Sequence, residues 1–375
     1  MQPAKNVKQN NNSTKQLNNK NKQKQNKRNA RRRVNSKLPQ INNFKLSNCA
    51  RLYLHALVNP FVQIDGPSLP CIPDYITLPS NKVQVTARGT MVLGTAGVGY
   101  VLVDPYAGIS NSGSVVGSNV SFPVLYTDAT YTFPNLNYLP SGGTLPTGVS
   151  GANTNSPFTI TAAPLARSQV RLVGGGIRLK YSGTQLYKGG TMALYRQQDN
   201  TSIASGATNS ALLQAPLSAA APVTRDWHSV TYNPASITDV SYQTFNPYNG
   251  ILGNSHYCLL IMVTGPAVNT IQQTFDFEYT AYFEQIGSNL QLSPSHSDPV
   301  GHGAIQTATA NARLSVQPPA EQERSILTDI VKFAADNMSG MVNFAGTAAR
   351  AAMRGVEKYA LSEAISGVAP LMLAL

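Results

Sequence analysis

Gln169–Tyr181 reads Q-V-R-L-V-G-G-G-I-R-L-K-Y. Val170 and Leu172, then Ile177, Leu179 and Tyr181, alternate with polar or cationic neighbours, the period of a strand with one face in a core. Three glycines interrupt the alternation, and β-branched Ile177 follows them. A phosphate-binding loop needs a strand, a turn and then a helix. Gly174–Gly176 therefore reads as a bulge or a close sheet contact.

The same texture extends in both directions. Residues 83–93 (V-Q-V-T-A-R-G-T-M-V-L), 100–103, Thr191–Arg196, 227–232, 256–264 and 274–284 are rich in Val, Thr, Tyr and Ile and are bounded by turn residues. Gly94-Thr95-Ala96-Gly97 joins two of these runs as a turn. Residues 105–168 form a long connection with brief apolar islands at 122–126 and 131–133, and a short-hairpin barrel would not need it. Seven or eight strands with such uneven connections predict two packed antiparallel sheets. The expected architecture is all-β: an eight-stranded antiparallel jelly-roll β-sandwich with a basic N-terminal arm and C-terminal helices.

Charge divides the chain. Of 29 Lys and Arg, 13 fall in residues 1–45, which hold no acid; the first is Asp65. The other 330 residues carry 16 basic and 17 acidic groups, a net of −1, although the whole chain is +12. A near-neutral body with a cationic end points to an anionic partner. Residues 1–45, mostly Asn, Gln, Lys and Arg, have too few apolar side chains to offset ordering entropy, so residues 1–37 are expected to be disordered alone. Lys20, Lys22, Lys24, Lys27, Arg28, Arg31, Arg32, Arg33 and Lys37 are the candidate RNA-binding residues. They can neutralise phosphates without base-specific geometry. A solubilising tail or a nuclear address shares this composition, but no zinc-finger spacing or aromatic RNA-reading motif suggests direct readout.

Domains are expected at 1–45 (arm), 46–290 (sandwich with the 105–168 insertion) and 291–375 (linker and helices). Residues 287–320 read as loop. Residues 321–338 have an apolar face through Ile326, Leu327, Ile330, Val331, Ala334 and Met338. A second helix is expected over 348–365. There Arg350, Arg354 and Lys358 fall at i, i+4 and i+8 and line one stripe. That helix could pack beneath neighbouring copies, contact RNA or lie at a membrane interface.

A catalytic reading has little to stand on. The histidines form no H-x-x-x-H pair, no G-x-S-x-G elbow occurs, and Ser295-His296-Ser297-Asp298 is a polar loop cluster. Asp226-Trp227-His228 reads as a strand-edge packing unit. Cys49, Cys71 and Cys258 match no zinc spacing and read as free thiols. No signal-like or 18-residue apolar run stands out, so an intracellular, soluble site of synthesis is expected. Asp65, Asp74, Asp104, Asp128, Asp276 and Glu278 offer hard oxygen donors, and Ca²⁺ at subunit interfaces is the one cofactor they suggest.

Residues 171–184 (R-L-V-G-G-G-I-R-L-K-Y-S-G-T), continuing to Gly189-Gly190, resemble a stretch of the coat proteins of small icosahedral positive-strand RNA viruses, nodavirus-like and tombusvirus-like, in which one strand turns into the next. With the basic arm, the resemblance spans about residues 20–290. It implies a structural capsid protein whose arm faces inward onto single-stranded genomic RNA. Its jelly roll would tile a closed shell, commonly in about 180 copies (T=3), and its location would be the virion. It also implies host-membrane contact by C-terminal helices during entry. Autocleavage at an Asn–Ala bond is a further implication, and Asn311-Ala312 is the matching dipeptide. The alternative is a non-viral RNA-binding or chaperone-like β-sandwich.

Overall fold

The computed structural model describes residues 46–62, 69–74, 79–107, 122–138, 145–152, 169–197, 199–246, 250–251, 257–266, 272–287, 297–310 and 326. The chain divides into Met1–Lys45, which lies outside the described residues, and Leu46–Leu375. No helix among the described residues is long and apolar enough to cross a membrane.

Twelve strands form two six-stranded antiparallel sheets. Sheet one contains β1 (Asn81–Val92), β12 (Thr274–Ile286), β5 (Gln169–Tyr181), β8 (His228–Thr231), β9 (Gln243–Asn246) and β10 (Gly250–Ile251). Sheet two runs β4 (Val149–Ala152), β3 (Val124–Thr127), β2 (Val98–Val103), β11 (Leu259–Thr264), β6 (Thr191–Arg196), β7 (Ser218–Pro222). Four nested pairs organise both sheets: β1 with β12, β2 with β11, β5 with β8, and β6 with β7. A long hairpin rolled up on itself pairs its strands in this way, first with last and inward, which is the jelly-roll arrangement. The remaining strands extend the edges. β3 and β4 come from the 105–168 insertion and lengthen sheet two beside β2.

Side-chain alternation explains the layers. Val83, Val85, Ala87 and Met91 of β1, Ile177 and Leu179 of β5, and Phe275, Phe277, Tyr279 and Phe283 of β12 meet Val101, Val103, Leu194, Ile261 and Val263 of sheet two in the central core. The alternate residues of sheet two are also covered. Tyr100, Leu102, Leu260 and Met262 pack under Tyr131, Leu136, Tyr138, Ile203 and Leu212 from loops and from α2 (Asn209–Leu213). A strand buried on both faces loses its polar alternation, hence the continuous apolar run Leu259-Leu260-Ile261-Met262-Val263.

Of the two expectations for the glycine run, the bulge is present at its start, while the close neighbour is a helix rather than a sheet. The register of β5 against β12 shifts between Tyr282 and Phe283, so that Tyr282 pairs with Gly174 and Phe283 with Leu172. Val173 is the additional residue of this bulge. Beyond it, Gly174 admits a close neighbour: a Cβ there would lie 2.6 Å from the Ala56 carbonyl oxygen of α1 (Asn48–Val58).

Three elements depart from the sequence reading. Residues 287–320 were expected to be loop, yet Pro299–Ala310 is a helix (α4; α3 is Ile237–Val240). Pro299 occupies a first-turn position that needs no amide donor, and the Asp298 carboxylate accepts from the Gly301 amide at 2.9 Å. β7, S-A-A-A-P, has no strand signature of its own; its Pro222 is tolerated because β7 is an edge. Cys49 and Cys71, expected as free thiols, are bonded to each other, while Cys258 is free and buried. The expected helices at 321–338 and 348–365 lie outside the described residues, except that Ile326 is helical and buried.

Gly174→Ala should lower unfolding free energy by about 1–3 kcal/mol, since the new methyl meets a backbone atom that cannot rotate away. Gly189→Ala, where a Cβ meets nothing within 4 Å, should stay within about 0.5 kcal/mol in the same denaturation series.

Candidate nucleic-acid interface

The outer face of sheet one has two halves, built from one lattice of cross-strand rows. Gln84, Tyr282 and Gly174 form a row; Thr86, Thr280 and Gly176 the next; then Arg88, Glu278 and Arg178; then Thr90, Asp276 and Lys180. Alternation along each strand puts all of these on the side away from the core.

The first half is covered. α1 lies over Gly174, and Pro60 and Phe61 lie over Gly176; the Tyr282 hydroxyl donates to the Pro60 carbonyl at 2.9 Å. Beneath this layer sits an ion network with almost no solvent. The Arg171 side chain is 0% exposed and its Nη2 lies 2.6 Å from Glu284, also 0% exposed. Arg171 is ion-paired to Asp74 as well, and its guanidinium lies 4.3 Å from the centre of the Tyr242 ring. Glu284 also accepts from the Ser80 hydroxyl and the Ile72 amide. Burial opposes charge on Arg171, but Glu284 and Asp74 outweigh it and raise its pKa above that of a free guanidinium.

This covered half is where both ends of the described fold meet. Ser47 caps α1 through its hydroxyl, which accepts from the Ala50 amide at 3.1 Å. The Ser47 amide in turn donates to Asp298 at 2.9 Å, so the residue that caps α4 also holds the start of α1. His302 of α4 stacks at 5.6 Å on Tyr53 of α1. Burial lowers the His302 pKa, partly offset by Asp74 and Asp298, with Arg171 adding to the lowering.

The second half of the face is open. Glu278 spans two arginines: Oε1 accepts from Arg88 Nε and Nη2 at 3.1 and 2.7 Å, and Oε2 from Arg178 Nε at 2.8 Å and from its Nη2. Burial raises the Glu278 pKa, but these arginines outweigh it and hold the carboxyl below its ordinary value. Arg178 also lies 4.4 Å from the Trp227 ring and 4.7 Å from Phe61, while Lys180 Nζ is 4.7 Å from Trp227. Trp227 thus packs beside β8, and His228 bonds Thr224 at 2.7 Å, as the strand-edge reading expected.

Lys20, Lys22, Lys24, Lys27, Arg28, Arg31, Arg32, Arg33, Lys37, Arg350, Arg354 and Lys358 all lie outside the described residues, as do Asn311, Ala312 and Asp65. The segment bearing the first nine joins the described fold at Leu46, and Asn311 follows the last residue of α4. The other candidate Ca²⁺ donors are dispersed. Asp74, Asp276 and Glu278 face cations, Asp128 accepts from Thr130, and Asp104 accepts from the Tyr106 amide. No group of three or more His, Cys, Asp or Glu that could hold a metal occurs among the described residues. Sequence reasoning missed the open Arg–Trp surface because its members come from β1, β5, β8 and β12, and only register unites them.

No family model matches the sequence, and no curated protein does. Among solved structures, the chain is similar to the infectious bursal disease virus Gx strain structure, at 11% identity and TM-score 0.42, over 74% of this chain and 99% of that one. It is also similar to the T13 viral particle of the same virus (9%, TM-score 0.40, 78% and 98%). A third is the Mud crab tombus-like virus structure (13%, TM-score 0.28, 62% and 94%). Such scores do not establish a shared fold, and the architecture rests on the strand pairing above.

Arg171→Met should cost roughly 3–5 kcal/mol of stability, because Glu284 and Asp74 would remain buried without their cation; urea denaturation reads it directly. For His302, the folded pKa lies below the free value of about 6.5, so as pH falls below that value the unfolded chain takes up a proton that the folded one resists, and stability declines. The drop in melting temperature from pH 7 to pH 5 should accordingly be smaller in His302→Gln than in the parent.

Proposed function

We propose that this protein is a self-assembling shell subunit of a small icosahedral RNA virus. In this reading it packages single-stranded genomic RNA through residues 1–45 and has a structural rather than a catalytic role. One observation carries the reading: a jelly-roll body with a net charge of −1 is joined to a segment holding 13 cations and no acid. Neutral bodies can pack beside copies of themselves without the self-repulsion a +12 surface would impose. The cationic segment neutralises phosphate by counterion release, which asks for no particular base sequence.

The covered half of sheet one supports a polarity for such a subunit. Ser47, next to the junction with the basic N-terminal segment, bonds Asp298 at the start of α4, and the C-terminal segment begins after Ala310 at the other end of that helix. In this reading the α1–α4 layer faces the particle interior. Closure in about 180 copies, Ca²⁺ at interfaces, membrane contact by the C-terminal helices and cleavage between Asn311 and Ala312 belong to the same proposal as its finer parts.

Electron microscopy of purified protein should show closed particles of uniform diameter, and phenol extraction should recover RNA from them. Removal of residues 1–37 should leave the far-ultraviolet β spectrum unchanged while packaged RNA falls or particle diameter changes. Unchanged RNA content together with unchanged diameter would reject the role given to the basic segment. A protein that stays monomeric with RNA present would reject the shell.

A further inference from the structure

We propose that the open half of sheet one, Arg88, Arg178 and Lys180 around Trp227, is a second contact for single-stranded RNA, distinct from the basic segment. The proposal rests on the RNA-packaging reading and adds a site on the folded domain to it.

Geometry comes first. The two arginines flank Glu278 in one cross-strand row, about 10 Å apart as two strand spacings require. Each is gripped along its Nε–Nη2 edge by a separate oxygen of Glu278. The guanidinium planes are thus oriented in advance, and neither Nη1 has a partner among the described residues. A fork held on one edge presents its remaining donors to an incoming phosphate with little further loss of side-chain freedom. The Arg88 side chain is 76% exposed, so its free donors are in solvent, while Arg178 is 23% exposed beside the aromatic rings.

The charge balance then narrows the ligand. Three cations (Arg88, Arg178, Lys180) stand against two acids (Glu278, Asp276), an excess of one. That excess is too small to hold a polyanion by charge alone. Trp227 and Phe61 supply the rest, with flat apolar surface beside the cations. Aromatic rings next to guanidinium groups are what a strand with unstacked bases can use, and what a bare phosphate chain cannot. Phe61 lies just beyond α1, so the patch is continuous with the α1 layer over sheet one.

Trp227 is the only tryptophan in the chain, so emission excited selectively at tryptophan, beyond the tyrosine absorption, reads this patch. Full-length protein would be titrated with a fluorescein-labelled 20-mer oligouridylate, following RNA anisotropy and Trp emission together. The expected result is a saturable change in Trp emission that tracks the anisotropy, with no such change on adding inorganic polyphosphate. Arg88→Gln/Lys180→Gln should abolish the emission change and weaken binding roughly five-fold. Arg88→Gln alone, at the exposed position, should give an intermediate loss should the double variant fold poorly. RNA binding by anisotropy with Trp emission unchanged would overturn the second contact while leaving the packaging reading intact. An emission change on RNA-free assembly that equals the change with RNA would make the face a subunit contact and also overturn it. No RNA binding by either signal would defeat both readings.

Discussion

The close approach of α1 to β5 governs the outer layer of this molecule. Gly174 and Gly176 remove two side chains from the outer face of sheet one, and the backbone of α1 and the following Pro60–Phe61 turn occupy the space. Once α1 is seated, Ser47 is fixed, Asp298 can bond it, and α4 follows. The buried Arg171–Glu284–Asp74 network is a consequence of the same packing. The bulge at Val173 restores Arg171 to the outer face, opposite Glu284, and the layer above excludes water from both. A charged pair in that position contributes little over an apolar pair of equal size, but it rejects any register that would leave either charge alone. The network therefore acts on specificity more than on stability.

Much of the sandwich was legible in the sequence for a physical reason: its central strands bury alternate or continuous apolar residues, and burial writes a period. Gln169–Tyr181 and Thr191–Arg196 fall on β5 and β6 as expected, and 83–93 and 274–284 fall on β1 and β12 within two residues. Elements whose shape is decided by neighbours left no such trace. β7 is three alanines between Ser218 and Pro222, held by pairing with β6. α4 contains two glycines and depends on the Asp298 cap and on α1. α1 itself, N-C-A-R-L-Y-L-H-A-L-V, is buried along most of its length and carries one charged residue, so polar contrast is weak.

The candidate site divides along the same line. The basic segment was legible because composition alone defines it: a run of cations without acids needs no fold to be recognised. The Arg88–Glu278–Arg178 row was not, because Glu278 lies 190 positions from Arg88 and 100 from Arg178, and each reads singly as an ordinary surface charge. Trp227 was legible as a packing residue but not as the neighbour of two cations.

These two kinds of cationic site obey different physics, and that difference bears on how a shell could hold RNA. A flexible polycation binds by releasing counterions; its affinity falls steeply with salt and it tolerates any sequence. A preoriented arginine pair beside a tryptophan gains less from counterion release, because Glu278 already neutralises half of it, and more from surface contact. Its affinity declines less with salt. On the proposed reading, the basic segment would gather RNA by charge, whereas the patch on sheet one would hold a strand against one defined place on each subunit. Repetition of that place by the symmetry of a closed shell would then impose the subunit spacing on the RNA beneath it, an ordering that counterion release alone does not impose.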